Sequence, residues 1–172
     1  MLERFYPTKF YNSVWDIDFE LLYINGVRGV IFDIDNTLVP HDMPATKESI
    51  ALFKKIHEIG IKTCLISNND EPRVAPFGYA MHTPFVYDAK KPSRKNYIKA
   101  MEIMGTDKTN TIFVGDQIFT DVYGANRTGI PSYLVKQIDK KEEIQIVLKR
   151  YLEKIVLNKW KNSIEQRDTI IK

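Results

Sequence analysis

Through the middle of this chain, short β-branched apolar runs alternate with stretches of helical spacing, and that alternation leaves few folds open. The runs are Val27–Phe32, Ile61–Ser67, Pro84–Tyr87, Thr111–Gly115 and Pro131–Val135. They are near-continuously apolar, as strands buried on both faces are. Between the first two, Ile50, Phe53, Ile56 and either His57 or Ile59 fall near one helical face ahead of Gly60, a residue that ends helices well. Pro72 suits the first turn of a helix starting near Glu71. Pro92 opens another, which carries Tyr97, Ile98, Met101 and Met104 before Gly105, and a short helix over 120–128 stops at Gly129. The pattern predicts a three-layer α/β/α fold, a parallel sheet of about five strands covered by helices on both faces.

At 172 residues one domain is expected, large enough to bury its own core. Its core spans 27–136. Residues 1–25 form an aromatic extension in which Phe5, Tyr6, Phe10, Tyr11, Trp15, Phe19 and Tyr23 are irregularly spaced, read as short helical or turn segments packed on the body. Residues 140–162 form an amphipathic helix. The single cysteine, Cys64, sits inside an apolar run, so it is read as a buried strand residue. No stretch approaches the roughly 18 apolar residues of a membrane span. The N-terminus is broken by charges and lacks a signal-peptide core. A net charge of +3 is too small to imply a nucleic-acid partner. The expected location is the cytoplasm.

The polar residues that stand out fall at strand ends, where ligands bind in such sheets. The first strand ends in Asp33-Ile34-Asp35-Asn36-Thr37 and the second in Ser67-Asn68-Asn69. Lys91 follows the third, and the fourth ends in Gly115-Asp116, with Asp121 five residues on. Each alone has an ordinary reading, since Asp and Asn are common turn formers. Their conjunction, in order and on one sheet edge, points to a site. A calcium loop starting at Asp33 fails, because Leu38 and Pro44 stand where Gly and Glu are needed. His57 and His82 lack the partners of a metal site, and His41 reads as an exposed loop residue.

These segments, over roughly 27–136, resemble the four ordered motifs of the haloacid dehalogenase-like superfamily. The strings Phe32–Val39, Ser67-Asn68-Asn69, Lys90-Lys91-Pro92 and Gly115–Val122 resemble the YqeG-type class IIIA phosphatases. The resemblance implies a phosphate monoester hydrolase with Asp33 as nucleophile, forming an aspartyl-phosphate, and Asp35 as general acid and base. It implies that Ser67, Asn68 and Lys91 hold the phosphoryl oxygens. It also implies Mg2+ bound by Asp33, the Asp35 backbone carbonyl and Asp116, with Asp121 either a ligand through water or the partner that orients Lys91. Thr37 and Asn36 either support the catalytic loop by hydrogen bonds or have a purely structural role.

Superfamily caps are inserted just after the first motif or between the second and third. Only about ten residues separate Thr37 from the helix near Thr46, and Ser67 and Lys91 are 24 positions apart. Neither interval holds a domain, so a capless, open site is expected, suited to a substrate bulky beyond its phosphate.

From Ile144 to Trp160, residues Ile144, Val147, Leu148, Tyr151, Leu152, Ile155, Val156 and Trp160 follow helical spacing, flanked by Lys149, Arg150, Lys154, Lys159 and Lys161. Either the helix docks on the sheet with its cations in water, or it meets anionic lipid at the inner face of a membrane. Similar chains include phosphatidylglycerophosphate phosphatases, which makes a phospholipid head group the leading substrate. A soluble nucleotide, sugar phosphate or phosphoprotein, and a non-catalytic scaffold on ribonucleoprotein, are the alternatives. The oligomeric state is left open.

Overall fold

The structure is a computed structural model that describes residues 2–139 and 144–170 of the chain, with side chains described over 2–139 and 149–165. All sheet pairings are parallel, in the order β1-β6-β5-β2-β3-β4. The strands are β1 (Lys9–Tyr11), β2 (Gly29–Phe32), β3 (Lys62–Ile66), β4 (Phe85–Val86), β5 (Thr111–Gly115) and β6 (Ser132–Val135). The helices are α1 (Phe19–Ile24), α2 (Lys47–Ile59), α3 (Glu71–Ala80), α4 (Arg94–Met104), α5 (Tyr123–Thr128) and α6 (Ile144–Ile170). A single wide turn of π-helix, Ile118–Val122, leads into α5.

This is the expected three-layer α/β fold, with six strands instead of about five. The extra strand is β1, which lies in the N-terminal segment read as helices and turns. It is three residues long and pairs only with β6, from Lys9↔Tyr133 to Tyr11↔Val135. Its pairing partner is more than a hundred residues away, which no local pattern announces. The helical reading holds for neighbouring parts of that segment, with short 3-10 turns at Glu3–Phe5 and Val14–Asp16 and then α1. One boundary also moves: Pro92 precedes α4, and Ser93 occupies its N-cap position.

The pleat sorts alternate residues of the central strands into two cores. Val30 and Phe32 of β2, Leu65 of β3 and Ile112 and Val114 of β5 pack with Phe53 and Ile56 of α2 and Phe77 of α3. Ile31, Cys64, Ile66 and Phe113 face the other way, onto Tyr97, Met101 and Met104 of α4 and Ala125 of α5. Cys64 is fully buried, and burial pushes its thiol up to about 12, as expected of an inert strand residue. A third cluster joins Ile118, Val122 and Leu134 to Val156 of α6 and to Leu2, Phe5, Tyr6 and Phe10.

Caps mark the helix ends. Thr46 and Ser49 form a reciprocal capping box at the start of α2. Asp70 caps α3, with Pro72 in its first turn. Gly60, Gly105 and Gly129 close α2, α4 and α5 in the left-handed conformation that suits glycine.

α4 and α5 meet closely at Gly124, where an added methyl would overlap the hydroxyl and ring of Tyr97. Tyr97 is fully buried, and its hydroxyl donates to Thr120 O at 2.9 Å, so the ring has no room to retreat. Gly124→Ala is expected to cost about 1–3 kcal/mol by overpacking. Thermal unfolding would then shift down by roughly 2–4 °C for each kcal/mol. An unchanged melting temperature would contradict this contact.

Candidate active site

Asp33, Asp35, Ser67, Lys91 and Asp116 converge at the C-terminal edge of the sheet because β2, β3, β4 and β5 all run in parallel. β2 delivers Asp33 and Asp35, and β3 delivers Ser67 and Asn68. The loop after β4 delivers Lys91, and β5 with the π turn delivers Asp116 and Asp121.

Lys91 lies at the centre. Its ammonium is almost wholly buried and bonds Asp33 Oδ1 at 2.6 Å and Asp121 Oδ1 at 2.7 Å. Burial alone would lower its pKa, but Asp121 and Asp33 outweigh burial and hold the ammonium protonated well above the ordinary lysine range. Asp121 uses its second oxygen to accept the backbone N–H groups of Asp116 (3.1 Å) and Gln117 (3.0 Å). It therefore ties Lys91 to the tip of β5. Gly115 makes this approach possible, since a Cβ there would sit 2.5 Å from Asp121 Oδ2.

Asp33, Asp116 and Asp121 each place a carboxylate oxygen within 4.8 Å of the others, and all three are buried. Burial pushes the Asp33 carboxyl up to about 7, opposed by Lys91 and reinforced by Asp121 and Asp35. Burial likewise raises Asp116 well above the carboxylate range, opposed by Arg150 and reinforced by Asp33 and Asp121. Three crowded, water-poor carboxylates are the donor set that a hard divalent cation takes, and its charge would relieve their repulsion. The residues present fit such an ion.

The loop that follows β2 is locked by several contacts. Asn36 has a φ of 61°, in the left-handed region that asparagine tolerates better than most residues. Its N–H donates to Val39 O, while its own carbonyl and side-chain oxygens accept from Ile138 N (3.2 Å) and Asp139 N (3.1 Å). Thr37 Oγ1 reaches Asp116 Oδ1 at 3.4 Å. Ser67 is buried and its hydroxyl accepts from Asn69 N at 3.1 Å. Asn68 brackets the Lys91 backbone, accepting its N–H at 2.7 Å and donating to its carbonyl at 3.4 Å.

Three side chains in the site, Arg73, His41 and Arg150, are absent from the motifs. Arg73 of α3 bonds Asp35 Oδ1 at 2.6 Å, and Asn69 bonds Asp35 Oδ2 at 2.7 Å, so the Asp35 carboxylate is held from both sides. His41 is about a third exposed, lines the same pocket and stands 3.8 Å from Asp35. Arg150 belongs to the basic flank by sequence, yet it points inward from α6. It donates to the Asp116 carboxylate, to Asp116 O at 2.7 Å and to Glu153 Oε2 at 2.9 Å. Glu153 in turn accepts the N–H groups of Ile118 (2.7 Å) and Phe119 (3.3 Å). The one sequence signal for this pair is polarity at i and i+3 on the stripe that Val156 and Leu157 continue. The remaining histidines lie elsewhere: His57 bonds Thr63 Oγ1 at 2.7 Å, and His82 lines a cleft beside it.

α6 docks its inner face through Val156, Leu157 and Glu153, and exposes Tyr151, Leu152 and Ile155 on the other. Residues 140–143 of the expected helix, and the side chains of Ile144, Val147 and Leu148 in its apolar pattern, lie outside the described residues. Among the described residues, no helix is long and apolar enough to cross a membrane.

The HAD-hydrolase-like family model matches residues 89–149. The chain is 37% identical over 163 residues to "Probable phosphatase YqeG" of Bacillus subtilis (strain 168), covering 94% of this chain and 95% of that one. It is 28% identical over 155 residues to "Phosphatidylglycerophosphate phosphatase 1, chloroplastic/mitochondrial" of Arabidopsis thaliana, covering 84% of this chain and 44% of that longer protein. Among solved structures, a HAD phosphatase from Thermococcus onnurineus superposes with a TM-score of 0.57 at 14% identity, over 69% of this chain and 90% of that one.

With Asp33 raised to about 7, a cation that binds its carboxylate must displace a proton below that pH and none above it. Divalent-metal affinity is therefore expected to strengthen from about pH 6 to about pH 8, the raised Asp116 carboxyl adding a proton release of its own. Calorimetric Mg2+ titrations check this, and an affinity independent of pH across the interval would contradict it.

Proposed function

The chain belongs to the haloacid dehalogenase-like superfamily as a phosphatase of the YqeG type, and on that premise we propose that Asp33 is its nucleophile and a phospholipid monoester its substrate. The observation that carries the assignment is the buried Lys91 ammonium, bonded to Asp33 and to Asp121, beside the cluster of Asp33, Asp116 and Asp121.

In the proposed reaction Asp33 attacks phosphorus, and a bond from its carboxylate oxygen forms as the ester P–O bond breaks. Asp35 gives its proton to the departing oxygen. Water then attacks the aspartyl-phosphate, Asp35 takes a proton from it, and the Asp33–phosphorus link breaks to release inorganic phosphate. Arg73 and Asn69 hold Asp35 on the wall of the pocket, where the leaving group departs. Ser67, Asn68 and Lys91 line the place of the phosphoryl oxygens, and Lys91 offsets their growing charge. Mg2+ would be held by Asp33, the Asp35 carbonyl and Asp116, with Asp121 beside it. When bound it would neutralise the charge of nucleophile and phosphate. Asp121 acts through Lys91, which it orients.

A single capless domain is part of the proposal. A loop alone joins β2 to α2, and α3 alone stands between β3 and β4. The pocket, about 220 Å³, is thus roofed by no inserted unit and suits a substrate that covers it. Support for phosphatidylglycerophosphate comes from the plant relative and from α6. Its outer face shows Tyr151 (66% exposed), Leu152 (48%) and Ile155 (42%) among Lys154 and Lys159, a surface suited to peripheral contact with anionic lipid on the inner face of a membrane.

Asp33→Asn is expected to reduce turnover by at least roughly a thousandfold with an unchanged circular dichroism spectrum. Near-native activity would mean that the nucleophile lies elsewhere. A substrate panel in mixed micelles is expected to favour phosphatidylglycerophosphate over nucleotide, sugar and peptide phosphates. Preference for a soluble ester would overturn the lipid assignment alone. EDTA should stop turnover and added Mg2+ restore it; activity indifferent to chelation would remove the metal from the scheme.

A further inference from the structure

Among the described residues, the buried and partly buried cations beside the pocket are already paired with carboxylates. Lys91 is shared between Asp33 and Asp121. Arg73 is paired with Asp35. Arg150 is paired with Asp116 and Glu153. Lys149, the residue before Arg150 on α6, lines the same pocket as Asp33, Ser67, Lys91, Gln117 and Thr120. It is exposed, and it makes no ion pair or hydrogen bond among the described residues.

Its place is set by its neighbours. Arg150 and Glu153 bolt this turn of α6 to Asp116 and to the Ile118 and Phe119 amides. The Lys149 backbone is therefore held at the mouth, while its side chain keeps the freedom of an exposed lysine. Any ester whose phosphorus reaches Asp33 must send the rest of its structure out past this mouth.

A site whose inner cations are already balanced by aspartates gains little extra attraction from them for a second anionic group. Among the described residues the Lys149 ammonium lines the pocket without a carboxylate partner, and it supplies that attraction. We propose that Lys149 is a specificity-determining residue that pairs with a second phosphate group of the substrate, located on the leaving-group side of the scissile ester bond. The proposal rests on the phosphatase reading above, and it narrows the substrate class to monoesters that carry another phosphate a few atoms away. A phospholipid's phosphodiester and a soluble bisphosphate share this chemistry.

The test compares glycerol 3-phosphate with propane-1,3-diyl bisphosphate on the full-length chain, adding phosphatidylglycerophosphate in mixed micelles to separate lipid from soluble sources. Lys149→Ala is expected to raise KM for the two doubly phosphorylated substrates roughly three- to fivefold more than for glycerol 3-phosphate. Lys149→Glu should widen the gap, and Lys149→Arg should close it. The change should appear in KM and not in kcat, and shrink as salt is added. Binding of the bisphosphate to the Asp33→Asn protein by calorimetry gives the same comparison without turnover. Equal effects on all three substrates, or no effect of charge reversal, would overturn the role of Lys149 and leave the phosphatase reading standing. Undiminished turnover by Asp33→Asn would sink that reading instead. A shift for the lipid alone would assign Lys149 to the phosphodiester, and a shift for both doubly phosphorylated substrates to the second phosphate wherever it comes from.

Discussion

A lysine buried between two aspartates governs this structure. Taking such charges out of water is costly, and the arrangement is tolerable only because each charge has a partner and each spare oxygen a donor. Lys91 meets that condition with Asp33 on one strand tip and Asp121 beyond another. Asp121 in turn satisfies the Asp116 and Gln117 amides, and Gly115 leaves it the room. Remove Lys91 and two buried carboxylates lose their shared cation, so the tips of β2 and β5 and the loop after β4 are held as one unit.

The remaining polar residues extend that unit outward. Asn68 fixes the backbone of Lys91, and the Asn36 turn receives the chain that leaves β6. Arg150 and Glu153 attach α6 to Asp116 and to the start of the π turn. The consequence is that a C-terminal helix, remote in sequence from the first motif, becomes a wall of the pocket. Its inner face serves packing and charge balance, while its outer face stays free for a partner or a surface.

Much of this fold was legible beforehand because buried parallel strands announce themselves. Val30, Ile31 and Phe32, or Ile112, Phe113 and Val114, are apolar on both faces of the sheet, and periodicity sees that directly. The helix stops at Gly60, Gly105 and Gly129 were visible for a similar reason, since a left-handed residue has a small set of sequence solutions. Strand β1 was hidden because its three residues depend on β6 and carry no pattern of their own. The site divides in the same way. Residues delivered by strand tips stood out through their topological place, and the structure puts Asp33 and Asp116 close enough to share one ion. Arg73 and Arg150 come from helices whose direction depends on packing. An arginine on an amphipathic helix looks the same in sequence whether it faces water or a buried carboxylate.

The proposed chemistry requires Asp33 to become phosphorylated, and capture of the phosphoenzyme tests this. The wild-type and Asp35→Asn chains would be mixed with substrate, quenched in acid, reduced with borohydride and digested for mass spectrometry. Reduction of an acyl-phosphate at Asp33 is expected, more abundant in the Asp35→Asn chain, where hydrolysis lacks its base. Modification at Asp35, Asp116 or Asp121 instead, or a turning-over enzyme with no modified carboxylate at all, would contradict it.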